Sequence, residues 1–261
     1  MTSENLLVTP VVERVSTLLV NAHRRFQQIE KAPDDVTTLT LDQVYAIQDR
    51  VAAEMGGVGG WKVSAPSPDV DPIAAPLFAS LIGASPASLA ASQFHGLGVE
   101  AEFGFRFGRA LLPRREPYTD DEVISAIAAM EPTIEVVDSR LGPWAQNDAM
   151  WKLADNQING YLVHGPPVVQ WHDIDFIEFP VELWIDGTLA VPAEESRNPA
   201  GDLLRLTTWL VNHLVKSRFG IQAGAIVTTG SYTGLLWVQP GQEVVARYPG
   251  IGEVSVHFTV T

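Results

Sequence analysis

Residues 97–107 read LGVEAEFGFRF, and the alternation within them decides the fold. Val99, Ala101, Phe103, Phe105 and Phe107 fall on one side of an extended chain, with Glu100, Glu102, Gly104 and Arg106 on the other. A period of two over this length is the signature of a strand with one apolar face. Strand patterns continue towards the C-terminus. Glu182 to Ile185, Asp186-Gly187 and Thr188 to Val191 read as a hairpin with a type I′ turn. Ala225 to Thr229, Leu235 to Val238, Val244 to Tyr248 and Glu253 to Val260 are further strands, with turns at Pro240-Gly241 and Pro249-Gly250.

Helices precede this β-rich part. Val11, Val12, Val15, Leu18, Leu19, Ala22, Phe26 and Ile29 recur at helical spacing between Pro10 and Ile29. Thr40 with Gln43 is a capping-box signature for a second helix, which stops at Gly56-Gly57. Thr119 with Glu122 starts a third, running to about Met130, and a fourth spans Asp202 to Phe219 with Gly220 just past its end. Leading helices followed mostly by strands predict an α+β fold with a mixed, largely antiparallel sheet core. The expected organisation is a helical N-terminal segment, residues 1–60, packed on a β-rich catalytic part, residues 61–261, as one compact unit.

The chain has 261 residues, 46% of them hydrophobic, which is enough for one sizeable core. Its 31 acidic and 17 basic side chains give a net charge of -14. Such a field repels phosphate backbones and anionic membrane surfaces, so neither nucleic acid nor membrane is expected as a partner. An anionic substrate would need a local cation to recruit it. The absence of cysteine excludes disulfides, thiolate nucleophiles and Cys-ligated metals. The acidic N-terminus does not read as a signal peptide, and no apolar run reaches 18 residues, so a cytoplasmic location is expected.

Glu100 and Glu102 carry the sharpest chemical signal. Two residues apart on a strand, they point to the same side with Cα atoms roughly 7 Å apart. The plain alternative is a solvated face; the functional reading is a hard divalent cation, since oxygen ligands suit Mg²⁺ or Mn²⁺. A third acid, Glu135, lies in the apolar run PTIEVVDSR, where a carboxylate is costly unless paired or metal-bound. Asp138 is the alternative there, or a partner for Arg140. Lys62, between Trp61 and Val63, is either a partly buried cation for a carboxylate or a snorkelling surface lysine. TTGSYTG, residues 228–234, offers glycine-permitted backbone approach with the hydroxyls of Ser231 and Thr233. The six histidines show no zinc-type spacing, and neither a nucleotide-binding glycine loop nor a G-x-S-x-G elbow occurs.

Six segments in order, GWKVSAP (60–66), VEAEFGFRFG (99–108), PTIEVVDSRL (132–141), LADNQINGYLVHG (153–165), WLVNHLVKSRFGIQAGAIVTTGSYTG (209–234) and GIGEVSVHF (250–258), resemble the 2-oxopent-4-enoate hydratase / 4-oxalocrotonate decarboxylase branch of the fumarylacetoacetate hydrolase superfamily. The resemblance implies that superfamily's mixed β-structure and a homo-oligomer. It implies Mg²⁺ or Mn²⁺ on Glu100, Glu102 and Glu135, Lys62 as active-site lysine, and Ser231, Thr233 and Asn156 at the substrate. The implied reaction is hydration of a small 2-hydroxy-2,4-dienoate (2-oxo acid) to a 4-hydroxy-2-oxo acid through a metal-bound dienolate. The alternatives are a 4-oxalocrotonate-type decarboxylase and a catalytically silent metal-binding homologue. There is one departure: hydratases of this branch carry an acid/base aspartate shortly before the segment that reads APLF here, and the aligned position is Ile73. Asp71 is the expected substitute, with Asp69 in reserve. Asn159 likewise stands where a small hydroxyl residue is common. Trp144, Trp151 and Trp237 could shape a pocket for a bulkier substrate tail.

Overall fold

The computed structural model describes residues 9–216 and 220–261. It opens with α1 (Pro10–Arg25) and α2 (Leu41–Glu54). Thr9 caps α1 and Thr40 closes a capping box with Gln43 on α2, each hydroxyl accepting a backbone N–H that the first turn leaves free. The first helix stops at Arg25 rather than near Ile29, because Phe26 turns left-handed (φ 51°) and its N–H bonds back to Ala22.

Then come β1 (Val58–Ser64), β2 (Ile73–Phe78), β3 (Ile82–Ala84), β4 (Ala87–Ala90) and β5 (Gly98–Phe107). A short α3 (Asp120–Ile124) leads into β6 (Ile127–Val137), and α4 (Ala149–Ala154) precedes β7 (Asn159–His164). The expected helix from Thr119 to Met130 is therefore one capped turn and a bit. Ile127 to Val137 pairs along β5, and the sheet overrides the local helical pattern. β8 (Glu182–Ile185) and β9 (Thr188–Val191) form the predicted hairpin, with Asp186 and Gly187 both left-handed. α5 (Leu203–Lys216), β10 (Ile226–Thr228), β11 (Leu236–Trp237), β12 (Glu243–Tyr248) and β13 (Gly252–Thr259) complete the chain. The helix end expected at Phe219 lies outside the described residues. No helix among them is long and apolar enough to cross a membrane.

The strands form two sheets. One runs β2-β1-β10-β5-β6-β7-β3, with β11 also on β5; the other runs β4-β13-β12-β8-β9. Among the described strands, only β1–β10, β3–β7 and β4–β13 pair in parallel. The fold is thus α+β with mixed, mostly antiparallel sheets, as expected. The apolar side of β5 faces the second sheet and α5: Phe103 and Phe105 are fully buried among Phe176, Leu206, Tyr248 and Val256. The α1 and α2 stripes pack with Leu141, Trp144 and Trp151 in a separate helical layer. Two of the three tryptophans considered for a substrate pocket therefore fill that layer, and Trp237 is exposed.

The other side of β5 does not face solvent. Leu77 of β2, Ile226 of β10 and Leu162 of β7 form one buried cluster, joined by Ile82. In a flat sheet β2 and β7 would stand five strand spacings apart, roughly 24 Å. The sheet must roll up to bring them together. Its inward face carries Lys62, Thr228, Glu102, Thr133 and Glu135, all buried. Pro132 sits in this sheet without loss, because β7 pairs only as far as Thr133 and the Pro132 carbonyl still accepts from Gly165 (2.8 Å).

Two glycines let the roll close. A Cβ on Gly60 would lie 2.4 Å from the Ile226 carbonyl oxygen, and one on Gly104 would lie 2.9 Å from Ile226 Cδ1. Gly60→Ala should therefore push β1 from β10 and cost about 1–3 kcal/mol of stability. A urea-unfolding midpoint equal to that of the parent protein would reject this close-packed closure.

Candidate metal centre

The β5–β6 register places Glu100 directly opposite Glu135, with Glu102 two residues along on the same face opposite Thr133. One oxygen from each of Glu100, Glu102 and Glu135 lies within 4.8 Å of the others. Glu135 is fully buried, Glu102 is 2% exposed, and Glu100 is only partly covered, which leaves the cluster one side open to ligands. The alternation that a solvated face would also explain is here the lining of a closed sheet.

Lys62 enters from β1, whose parallel pairing with β10 sets Lys62 against Thr228. Its Nζ donates to both Glu135 oxygens (2.6 and 2.7 Å) and to the Gln157 carbonyl (3.2 Å). Asn159 Nδ2 donates to Glu135 Oε1 (2.8 Å), and the Thr228 hydroxyl donates to Glu102 Oε2. From behind, the Tyr248 hydroxyl on the second sheet contacts the main-chain oxygens of Glu102 (2.7 Å) and Thr133 (3.0 Å). The strand positions of two site residues are thus tied to the opposite sheet.

The electrostatics follow from burial. Desolvation, then the charges of Glu135 and Glu100, push the Glu102 carboxyl up to about 8, against the opposing pull of Lys62 and Thr228. Burial and Glu135 also raise Glu100, which Lys62 and Ser231 partly offset. Burial works against the Lys62 charge, but the three glutamates, Glu135 foremost, outweigh it and its pKa rises. With all three carboxylates ionised, one ammonium would leave two negative charges in a largely buried space, which is why burial and mutual repulsion favour the protonated forms of Glu100 and Glu102. A divalent cation cancels that excess, and an all-oxygen donor set suits Mg²⁺ or Mn²⁺. The residues present fit such an ion.

The other expected residues fall into three groups. Ser231 lies over Glu100 with its hydroxyl buried and without an ordinary hydrogen-bond partner. Thr233 accepts from the Ala101 N–H (3.1 Å), so it pins the 228–234 loop onto β5. Asn156 ties its amide nitrogen to the Pro76 carbonyl (2.8 Å) and leaves Oδ1 buried and unpaired. Asp71 and Asp69 are not gathered into the site. Both are exposed on the loop before β2, with no hydrogen bond or ion pair to the described residues. Asp138, the alternative to Glu135, instead accepts from the N–H groups of His95 (2.8 Å) and Gly96 (2.9 Å).

Several neighbours were not singled out from sequence. Thr228 carried a usable signal, since it starts the TTG loop directly after the apolar run Ala225–Val227. Gln157 carried none: it lies in a run of three non-glycine residues, Asn156, Gln157 and Ile158, with φ of 53°, 50° and 54°. Arg140, 3% exposed, holds that run at both ends. Its Nε donates to Asp155 Oδ1 (2.7 Å), Nη2 to the Asp155 carbonyl (2.9 Å) and Nη1 to the Asn159 carbonyl (2.7 Å).

The chain is 29% identical to 2-keto-4-pentenoate hydratase 1 of Dechloromonas aromatica over 99% of its own length and 100% of that protein. It is 30% identical to 4-oxalocrotonate decarboxylase of Pseudomonas putida over 52% of its length and 51% of that protein. Among solved structures, 4-oxalocrotonate decarboxylase from Pseudomonas putida G7, complexed with magnesium and adipate, superposes with a TM-score of 0.82 at 24% identity, covering 97% of this chain and 99% of that one. The family model described as fumarylacetoacetate (FAA) hydrolase C-terminal matches residues 46–259. Taking in every strand and both flanks of the glutamate cluster, that match places the chain in the fumarylacetoacetate hydrolase family.

Proposed function

We propose that this protein is a divalent-metal-dependent hydro-lyase that converts a 2-hydroxy-2,4-dienoate into a 4-hydroxy-2-oxo acid. The observation that carries the reading is the buried Glu100–Glu102–Glu135 cluster with Lys62 bonded into it. Two hydratases among its relatives match it across nearly the whole chain, which supports the same chemistry. Mg²⁺ or Mn²⁺ held by the three glutamates would supply a Lewis acid for the carboxylate and 2-oxygen of the substrate.

The chain's own groups account for the rest. Lys62, kept as an ammonium by its glutamates, offers positive charge and a proton where negative charge develops on the substrate. Ser231, whose buried hydroxyl stands beside Glu100, is placed to bind the substrate's polar end. Leu77, Leu162 and Ile226 seal the floor against bulk water, so these charges act at reduced dielectric. Protonation at the far end of the diene gives an enone, which then takes up water at C4. Asp71, on its exposed loop, would have to move inward to take part.

Decarboxylation of a 2-oxo acid is the second reading. The site face at the start of β2 carries Ile73, and Asp71 and Asp69 face solvent, so directed proton transfer has fewer carriers here than hydration needs. Incubation with 2-hydroxypenta-2,4-dienoate and Mg²⁺, with product analysis and CO₂ detection over a dienoate panel, separates the two. We also infer self-association, supported by the exposed apolar side chains Phe26, Leu112, Val169, Ile177 and Trp237. Sedimentation of the purified protein reads it directly.

Glu102→Gln should abolish Mg²⁺-dependent turnover with the fold retained, and residual metal-dependent activity would remove Glu102 from the ligand set. Lys62→Met should lower turnover by roughly 10²-fold or more, the usual scale for losing an acid/base group; unchanged kinetics would leave Lys62 a purely structural counter-ion. Acidity gives an independent check. Glu102 titrates near about 8 in the fold, against about 4.3 in an unfolded chain. A raised carboxyl pKa contributes stability below the unfolded value, lost as pH climbs through the folded one. With chelator present, Tm should fall between about pH 4.5 and about pH 8, and added Mg²⁺ should restore it most at the upper end. A flat chelated profile would contradict the buried, mutually repelling triad.

A further inference from the structure

We propose that Gln157 positions the water that adds to the substrate, through its side-chain oxygen Oε1; this rests on the hydratase reading above. Hydration requires an acceptor for one water O–H, so that a lone pair can be aimed at C4. The water oxygen bonds C4, the C3=C4 pair shifts towards the C2 carbonyl, and the remaining proton ends on C3 when the keto form returns. The triad glutamates cannot serve as that acceptor while they hold a cation and Lys62. Ile73, on the same sheet face opposite Ser64, has nothing to offer.

Gln157 meets the requirement at three points. Its carbonyl accepts from Lys62 Nζ (3.2 Å), so its backbone is joined to the catalytic cluster. Its Nε2 donates to Ser64 Oγ (3.2 Å), and Ser64 lies two residues from Lys62 on the same face of β1. That bond fixes the amide plane and leaves Oε1 buried with no partner. An unpaired buried acceptor is destabilising, and a bound water or hydroxyl would relieve that cost. Asn156 Oδ1 is also unpaired, but Asn156 is nearly sealed behind β2 by its bond to the Pro76 carbonyl. Gln157 is less buried than Asn156, and both of its hydrogen-bond partners, Lys62 and Ser64, stand on the site face of β1.

The backbone supports a functional reading. Three successive left-handed non-glycine residues, Asn156, Gln157 and Ile158, are each strained by the crowding of Cβ against the backbone. Arg140, bonded to the carbonyls on both sides of the run and to the Asp155 carboxylate, holds it in that shape. A relaxed helical or extended path here would carry the Gln157 carbonyl away from Lys62 and its amide away from Ser64. The amide does not take up a proton at neutral pH, so Gln157 acts by placement alone, and proton movement stays with other groups.

The test follows 2-hydroxypenta-2,4-dienoate with Mg²⁺ in D₂O by NMR, which reads deuterium entry at C5 (ketonisation) separately from formation of the 4-hydroxy product. Gln157→Leu should lower hydration by about 10²-fold, the scale of a misplaced reactant, with deuterium entry and Mg²⁺ affinity within a few-fold of the parent enzyme. Ser64→Ala, which loosens the amide and leaves Oε1 in place, should give a smaller loss confined to the same step. Gln157→Glu, which keeps an acceptor oxygen, should retain more hydration than Gln157→Leu. The proposal falls if Gln157→Leu hydrates at the parent rate, or if Gln157→Leu and Ser64→Ala both lose the two steps in parallel. A parent enzyme that ketonises or decarboxylates but never hydrates would overturn the hydratase reading, and this role with it.

Discussion

Mutual repulsion among three carboxylates, two of them buried and the third half-covered, is the constraint on which the rest of this protein depends. Glu135 and Glu102 have almost no solvent to spread their charge, and Glu100 stands opposite Glu135 across the ladder. Lys62 answers one charge of the three and bonds both oxygens of Glu135. It reaches them only because β1 and β10 run side by side, with Gly60 of β1 and Gly104 of β5 leaving room on either side of Ile226 in β10. Thr228 and Asn159 then satisfy single carboxylate oxygens, and Tyr248 holds the two glutamate-bearing strands from the far sheet. Removing one partner from such a buried set leaves an uncompensated charge, which costs far more than an exposed ion pair contributes.

A second buried pair, Arg140 with Asp155, does mechanical work of a different kind. Its guanidinium spends its donors on main-chain oxygens at both ends of a left-handed run, a geometry the planar fork suits and a lysine would not reproduce. The run delivers one carbonyl to Lys62 and one amide to Ser64, and leads directly into Asn159, which bonds Glu135. Metal cluster, lysine and turn are thus one continuous polar network. Its geometry is set by backbone as much as by side chains.

Much of this was legible in the residues. The two-residue period of β5 exposed Glu100 and Glu102 as a same-face pair, and Glu135 stood out because an acid in an apolar run needs a reason to be there. What the period could not say was which face is inside. Both are, one against the second sheet and one within the roll, and rolling depends on contacts between Leu77, Ile226 and Leu162, which lie far apart in the chain. The helix expected up to Met130 failed for the same reason, since pairing with β5 outbids a local pattern that fits either period. The turn at Asn156–Ile158 is unreadable from composition because glycine, the ordinary marker of a left-handed backbone, is absent there. Asp71 was expected from its proximity in sequence to β2, whereas the loop that carries it runs over the surface, with Pro68 near Gly201.

The parallel contact between β1 and β10 also has a bearing on how the molecule comes into being. Lys62 lies in the first quarter of the chain and its neighbour Thr228 near the end, so their pairing closes a very long loop. On a ribosome the glutamates of β5 and β6 would emerge well before β10 exists to shelter them beside Lys62. Until then they can remain hydrated, and the repulsion between them costs little. The charge cluster is therefore a late product of folding, assembled when the last strands dock, and a cation arriving at that moment would favour the completed chain over any shorter intermediate.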